Sequence, residues 1–185
     1  MSRRATVLLV AVLLGSPARV QAMSWSLGSN LGFGVIHGAA SGNGTTTVTA
    51  WPANVISYQP ALRVGIANSK HSREVVVDSG LLLLDEAGST LSLFAGTLSY
   101  QATFRSSSTT APFVNATVGF YSESAATHTS TSPSYGAGVG YRHIVGDRHG
   151  SVRAEIRVDH LTGDPSSGRP DLTTFGVRFG FDLWL

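Results

Sequence analysis

The chain has 185 residues, 42% of them hydrophobic, with 21 glycines, no cysteine and a formal charge of +2. This length suits one domain. The missing cysteines exclude a disulfide framework, a thiolate metal site and a lipid-anchored cysteine. The basic residues form no Lys/Arg cluster, so we expect no nucleic acid among the partners.

Residues 1–22 have the composition of a cleaved secretory signal peptide. Two arginines precede the apolar run Ala5–Gly15, and the small residues Val20 and Ala22 stand where a signal peptidase reads. The run has only about half of the ~20 residues that a spanning helix needs. Cleavage leaves residues 23–185 as one domain with 10 basic and 11 acidic residues, a formal charge of −1. We therefore predict export.

After residue 22 the dominant pattern is an alternation of apolar with small or polar residues. In Trp25–Ile36 the odd positions are mainly apolar, whereas the even positions are mainly Ser, Gly and Asn. A period of two indicates a strand with one apolar face. Glu74–Leu84 has the composition of a strand, but its apolar face is ambiguous. The predicted strands are Trp25–Ile36, Leu62–Ala67, Glu74–Leu84, Phe94–Phe104, Val114–Phe120, Ala137–Arg142, Val152–Asp159 and Phe175–Leu185.

Segments rich in Gly, Ser, Thr, Asp and Pro separate these strands, as expected of turns and loops. The longest is His37–Tyr58, which contains Thr46–Trp51. We interpret this piece as a short extra hairpin or a strand extension, so eight and nine strands both stay open. Loops carry variable function on a rigid scaffold. The His37–Tyr58 loop is therefore the best candidate surface for a partner.

One face of the predicted strands combines glycine with charge. Gly136, Gly138 and Gly140 share a face of one strand, and Arg153–Asp159 alternates arginines and carboxylates with apolar residues. Glycine relieves crowding inside a narrow barrel, and opposite charges pair there. This pattern favours a membrane barrel, whose apolar face meets lipid. The solvated face of a β-sandwich has a similar composition, so an exported soluble binding protein stays open as an alternative.

The last strand favours the membrane barrel as well, because it runs to the final residue. It resembles the C-terminal signal that the barrel-assembly machinery of Gram-negative bacteria recognises. Arg178 stands at the polar position, Gly180 at the glycine, and Leu183 and Leu185 at the hydrophobic positions. The final leucine departs from the usual phenylalanine.

The chain resembles the small outer-membrane β-barrel proteins of the OmpA-barrel, OmpX and opacity-protein type. The clearest stretch is Tyr135–Leu185, with a Gly-x-Gly-x-Gly-Tyr-Arg strand, a tight turn, a Ser-Val-Arg-Ala-Glu-Ile-Arg strand and the closing strand. The resemblance implies an all-β, up-and-down antiparallel transmembrane barrel of about eight strands. It also implies outer-membrane lipid and lipopolysaccharide as surroundings, insertion by the barrel-assembly machinery, and a structural or surface-interaction role through extracellular loops.

In such a barrel the charged faces form a lumen network. Its function would be to gate a narrow, porin-like channel or to bind a small polar solute. The alternative is that the network only fills the lumen, because an eight-stranded interior is just wide enough for side chains. The predicted members are Arg63, Asp78, Arg142, Arg153, Glu155, Arg157, Asp159, Arg178 and Asp182.

Five aromatic side chains are candidates for the girdles at the two membrane interfaces. Ordinary contact with lipid is an equal alternative. They are Trp25, Tyr100, Phe104, Tyr141 and Trp184.

The six histidines show no metal-site spacing such as HExxH, and P-loop and GxSxG motifs are absent. A lipid A-modifying enzyme would need a histidine that activates a serine at the outer rim. Local pairs such as His71 with Ser72 lack the Asn/Gly-rich context expected there. We predict no enzyme, no metal and no cofactor.

Overall fold

The computed structural model describes residues 23–40, 44–50, 61–86, 89–104, 109–125, 128–146, 149–163 and 171–185. The predicted signal peptide lies outside the described residues. Nine strand segments follow one another in the described part: β1 (Met23–Ala40), β2 (Gly44–Ala50), β3 (Ala61–Asn68), β4 (Arg73–Glu86), β5 (Ser89–Thr103), β6 (Thr110–Ala125), β7 (His128–Val145), β8 (Gly150–Leu161) and β9 (Leu172–Trp184).

The strands form one antiparallel sheet that closes on itself. From β3 to β9 each strand pairs with the next, and β1 pairs with both β3 and β9. The β1–β9 pairing runs from Ser26 opposite Trp184 to Gly38 opposite Leu172. The predicted fold, a closed up-and-down antiparallel barrel, is therefore confirmed.

The barrel has eight strand positions, because β2 and β3 share one. β3 pairs with the first part of β1, Met23–Asn30, whereas β2 pairs with its last part, Gly34–Ala40. The two segments run in the same direction along one side of β1. β2, the extra segment in the first loop, therefore continues the line of β3, and the barrel has eight strand positions.

We call the end of the barrel with Met23 and Trp184 the near end, and the opposite end the far end. The hydrogen bond from Leu185 N to Trp25 O, at 2.9 Å, holds the two described ends together. At the far end β6 and β7 extend well past the predicted strands. Their pairing continues to Ala125 opposite His128. The segment between the predicted strands Val114–Phe120 and Ala137–Arg142 was expected to be a turn or loop, and this expectation is wrong for most of its length.

Hydroxyl pairs stabilise this extension of β6 and β7. Ser122 Oγ lies 3.0 Å from Thr131 Oγ1, and Ser124 Oγ lies 2.9 Å from Thr129 Oγ1. Among the residues described above, none forms a helix long and apolar enough to cross a membrane.

Candidate functional site

The lumen holds ten charged side chains, each at most 4% exposed. Five are arginines and five are carboxylates, so the set has a formal charge of zero. A charge is buried at a tolerable cost only where a partner compensates it. The members are Arg63, Glu74, Asp78, Arg142, Arg153, Glu155, Arg157, Asp159, Arg178 and Asp182.

Asp182, on β9, is the carboxylate at the centre of a first cluster of ion pairs. Arg63 Nε lies 2.7 Å from Asp182 Oδ1. Arg142 Nη2 and Arg153 Nε lie 3.7 Å and 3.8 Å from Asp182 Oδ2. Arg63 also donates from Nη2 to Gln101 Oε1 at 3.3 Å. One carboxylate from the last strand therefore holds arginines from three other strands.

Glu155, on β8, is the acceptor of a second cluster. Arg157 Nη1 lies 3.1 Å and Arg178 Nη2 3.6 Å from its Oε1 atom. Asn115 donates to the same oxygen at 2.9 Å. Arg178 Nη1 lies 3.6 Å from Asp78 Oδ2, and Asp78 in turn pairs with the first cluster. The charged side chains thus form one connected network across the lumen.

The glycines of β7 make room for this network. Gly138 lies opposite Arg157 in the β7–β8 register, and Gly136 lies opposite Asp159. A Cβ atom on Gly138 would lie 3.0 Å from Asn115 Oδ1, and closer still to Glu155 Oε1. A side chain at this position has no space. Gly136 and Gly138 therefore leave space for charged side chains of β8, whereas a Cβ atom on Gly140 would meet the Phe113 ring and the β8 backbone.

Trp184 covers the near end of the lumen. It is 6% exposed, and its ring stacks on His71 with centroids 4.1 Å apart. The Arg142 guanidinium carbon lies 5.5 Å from the centroid of the Trp184 ring, and Arg142 also forms an ion pair with Glu74. The prediction that Trp184 lies in an interfacial girdle is wrong. Trp184 lies two residues after Asp182 on β9, so both side chains point to the same side of the strand, into the lumen.

The outer wall is the apolar complement of the lumen. On β6 the outward residues from Pro112 to Phe120 are exposed and apolar, and the next outward residues are Ser122 and Ser124. A membrane strand needs ~9–11 residues to cross the hydrocarbon, and this stretch has nine. The same change from apolar to polar recurs on β5, β7, β8 and β9. We call the outward residues at this level, Ser92, Ser122, Thr131, His160 and Thr173, the far rim.

No protein-family model and no curated protein matches the chain. Solved structures match its fold. Neisserial surface protein A (NspA) has a TM-score of 0.58 at 13% identity, over 88% of this chain and 99% of that one. The outer membrane protein AlkL, solved in lipid bilayers, has a TM-score of 0.51 at 16% identity, over 92% and 94% of the two chains.

This chain has the fold of a small eight-stranded outer-membrane barrel. A barrel of this kind holds its apolar wall in lipid, between two girdles of aromatic side chains. Of the predicted girdle residues, Trp25, Tyr100, Phe104 and Tyr141 all lie towards the near end, on or just after their strands, and Trp25, Phe104 and Tyr141 are more than half exposed.

A second group of aromatic side chains, absent from the predicted girdle residues, lies at the far rim and just inside it. The ring centroids of Phe94 and Phe120 lie 5.6 Å apart, and those of Tyr135 and His160 lie 5.0 Å apart. A sequence signal that identifies this group is a serine two residues closer to the far end on the same face, Ser92 for Phe94 and Ser122 for Phe120.

The structure places all nine predicted lumen charges inside the barrel. Glu74 was missed, although it shares the phase of Asp78. The network also uses uncharged polar side chains that no charge pattern shows, namely Ser26, Asn30, Gln101 and Asn115.

In the C-terminal pattern Arg178 and Gly180 face the lumen, whereas Leu183 and Leu185 face outward, Leu185 with 81% exposed. Within the described ranges, no group of three or more His, Asp or Glu side chains is arranged to hold a metal ion.

Proposed function

We propose that this protein is an integral outer-membrane barrel with a closed lumen, which acts at the cell surface through its far end. The near end faces the periplasm. Two features support this orientation: the strands project past the apolar band at the far end, and both described chain ends lie at the near end. Leu183 and Leu185 are exposed on the outer wall, where the barrel-assembly machinery can contact them during insertion.

The lumen network is the observation that carries this proposal. It is charge-balanced, connected across the interior and covered at the near end by Trp184 and His71. Narrow barrels of eight strands have interiors that side chains can fill. With the lumen filled, the strand extensions and loops beyond the far rim are the surface available to a partner. The His37–Tyr58 loop belongs to this surface, and its residues 41–43 and 51–58 lie outside the described part.

Gel mobility with and without boiling tests the barrel, and planar-bilayer recording tests the closed lumen. A closed barrel has no free edge to open and resists detergent. We expect a heat-induced mobility shift and no discrete conductance steps. A protein that shows no shift and is released with the periplasmic fraction would contradict the proposal.

Labelling of intact cells tests the orientation. Thr131 is an exposed far-rim residue, and the chain has no native cysteine. A membrane-impermeant maleimide should therefore label a Thr131→Cys variant on whole cells. A near-end Lys70→Cys control should be labelled only after lysis. The reverse labelling pattern would overturn the orientation.

A narrow channel is the second candidate, because some buried polar atoms in the lumen lack a protein partner. Gln101 Nε2, Asn115 Oδ1 and Ser134 Oγ have none. Buried polar groups of this kind are usually satisfied by water. Conductance steps in the wild type that change in Glu155→Ala would favour this candidate over the closed lumen.

A further inference from the structure

A groove of about 650 Å³ lies on the outer wall. Its outward-facing lining comes from two adjacent rows of residues that pair across neighbouring strands. The first row is Thr110, His143, Val152, Phe181 and Ser29, each opposite the next. The second row is Tyr141, Ala154, Phe179 and Leu31, again in register.

The groove crosses the strands rather than following one of them. It extends from the start of β6 across β7, β8 and β9 to the middle of β1. Four strand spacings of ~4.8 Å make it about 19 Å long. Barrel strands tilt by ~35–45° from the membrane normal. A row that runs perpendicular to the strands is therefore inclined by a similar angle to the membrane plane. It therefore rises about 12 Å, most of the ~15 Å of hydrocarbon in one leaflet.

The two ends of the groove differ in polarity. At the near end the Thr110 hydroxyl and His143 Nδ1 lie 2.7 Å apart, beside the exposed ring of Tyr141. Towards the centre of the membrane the outward-facing lining is mainly apolar, with Phe179, Phe181 and Leu31, and Ser29 is the one hydroxyl residue there. Ala154 lies between Tyr141 and Phe179 in the cross-strand register, so a small side chain deepens the groove at this point.

We propose that this groove binds a glycerophospholipid of the periplasmic leaflet, with an acyl chain along the apolar rows and the phosphate end at Thr110 and His143. This inference rests on the proposed membrane location. The polar end lies at the headgroup level of that leaflet, and the apolar part ends near mid-membrane, as an acyl chain does. A second copy of the barrel fits less well, because two convex walls touch along a line and leave a slanted groove unfilled.

Native mass spectrometry of the barrel, extracted in mild detergent and titrated with phosphatidylethanolamine, tests the proposal. We expect one preferentially retained phospholipid in the wild type. Ala154→Phe fills the groove and should weaken retention about tenfold or more. Ala116→Phe is the matched control, because Ala116 is an outward-facing alanine of the same band outside the groove. It should retain lipid as the wild type does.

His143→Leu tests the polar end separately, and we expect it to weaken retention without filling the groove. A titration with lipid A, whose phosphates belong to the opposite leaflet, should give weaker binding than phosphatidylethanolamine. Equal retention by Ala154→Phe and wild type, equal loss in Ala116→Phe, tighter binding of lipid A, or dimer peaks in place of lipid adducts would each overturn the proposal.

Each sample is also run with and without boiling on a gel. A variant without the heat-induced shift has not folded as a barrel. If Ala154→Phe shows no shift, the lipid retention of His143→Leu tests the groove in its place. A wild type without the shift contradicts the proposed membrane function itself. A wild type that shifts but retains no phospholipid contradicts the lipid groove alone.

Discussion

The two faces of β8 show opposite chemistry on one strand. Towards the lumen it carries Arg153, Glu155, Arg157 and Asp159, all nearly fully buried, whereas the outward Ile156 is 66% exposed. In a water-soluble sheet the apolar face would be covered and the charges would be solvated. The contrast shows that this strand needs two environments at once: an ion-paired interior and a lipid exterior. Variants that change one face at a time test that comparison.

The largest effect is expected inside, at Glu155. Glu155→Leu removes the carboxylate that Arg157, Arg178 and Asn115 share, and it leaves the buried network with five arginines and four carboxylates, an excess of one positive charge. The expected loss in free energy of unfolding is about 3–5 kcal/mol, measured by urea titration in phospholipid vesicles. Glu155→Gln keeps one acceptor oxygen and should lose less. If Glu155→Leu unfolds at the same urea concentration as the wild type, the network does not stabilise the barrel.

The next effect belongs to the outer face. Ile156→Arg places a charge near the middle of the apolar band, and the expected loss is ~2–4 kcal/mol in the same titration. Ile156→Leu is the control and should change the unfolding free energy by less than about 1 kcal/mol. An arginine tolerated here would show that this face lies in water.

A smaller loss is expected where the two neighbouring strands approach inside the lumen. Gly138→Ala adds a Cβ atom that collides with Glu155 and Asn115, so we expect ~1–3 kcal/mol. Ala137→Val makes an addition of similar kind on the outward face of the same strand and should be close to neutral. Equal effects of the two variants would contradict the filled lumen.

The smallest effect lies beyond the membrane band. Thr131→Val removes the hydroxyl that pairs with Ser122 at 3.0 Å, at an exposed position of the far rim. We expect a change within about 0.5 kcal/mol in the urea titration. A large loss would indicate that the β6–β7 extension stabilises the whole barrel.

Alternation of residues predicted the strands and most of the lumen residues, because period two assigns each residue of a strand to one face. The choice of a membrane barrel over a β-sandwich needed the C-terminal pattern and the family resemblance as well. It placed Arg153 and Asp159 together without any knowledge of the pairing. It failed at Glu74, since the run Val75–Val77 is apolar in both phases and hides the inward side. The prediction for Trp184 was wrong for another reason. It was based on the aromatic residue type and not on the alternation, which places Trp184 on the lumen side together with Asp182.

The lengths of the strands could not be predicted from the sequence and became clear only in the structure. The hydroxyl residues from Ser122 to Ser134 show no polarity contrast, so a paired hairpin and an open loop have the same pattern. The shared position of β2 and β3 depends on registers with β1, which no local pattern encodes. The outer groove is likewise a product of five strands in register.

A fluorescent probe on β8 tests whether the apolar face of the barrel meets lipid. With no native cysteine in the chain, Ile156→Cys carries a single environment-sensitive label in vesicles. We expect strong quenching by phospholipids brominated in their acyl chains and little quenching by iodide in the buffer. Quenching by iodide with none from the brominated lipid would show that this face lies in water.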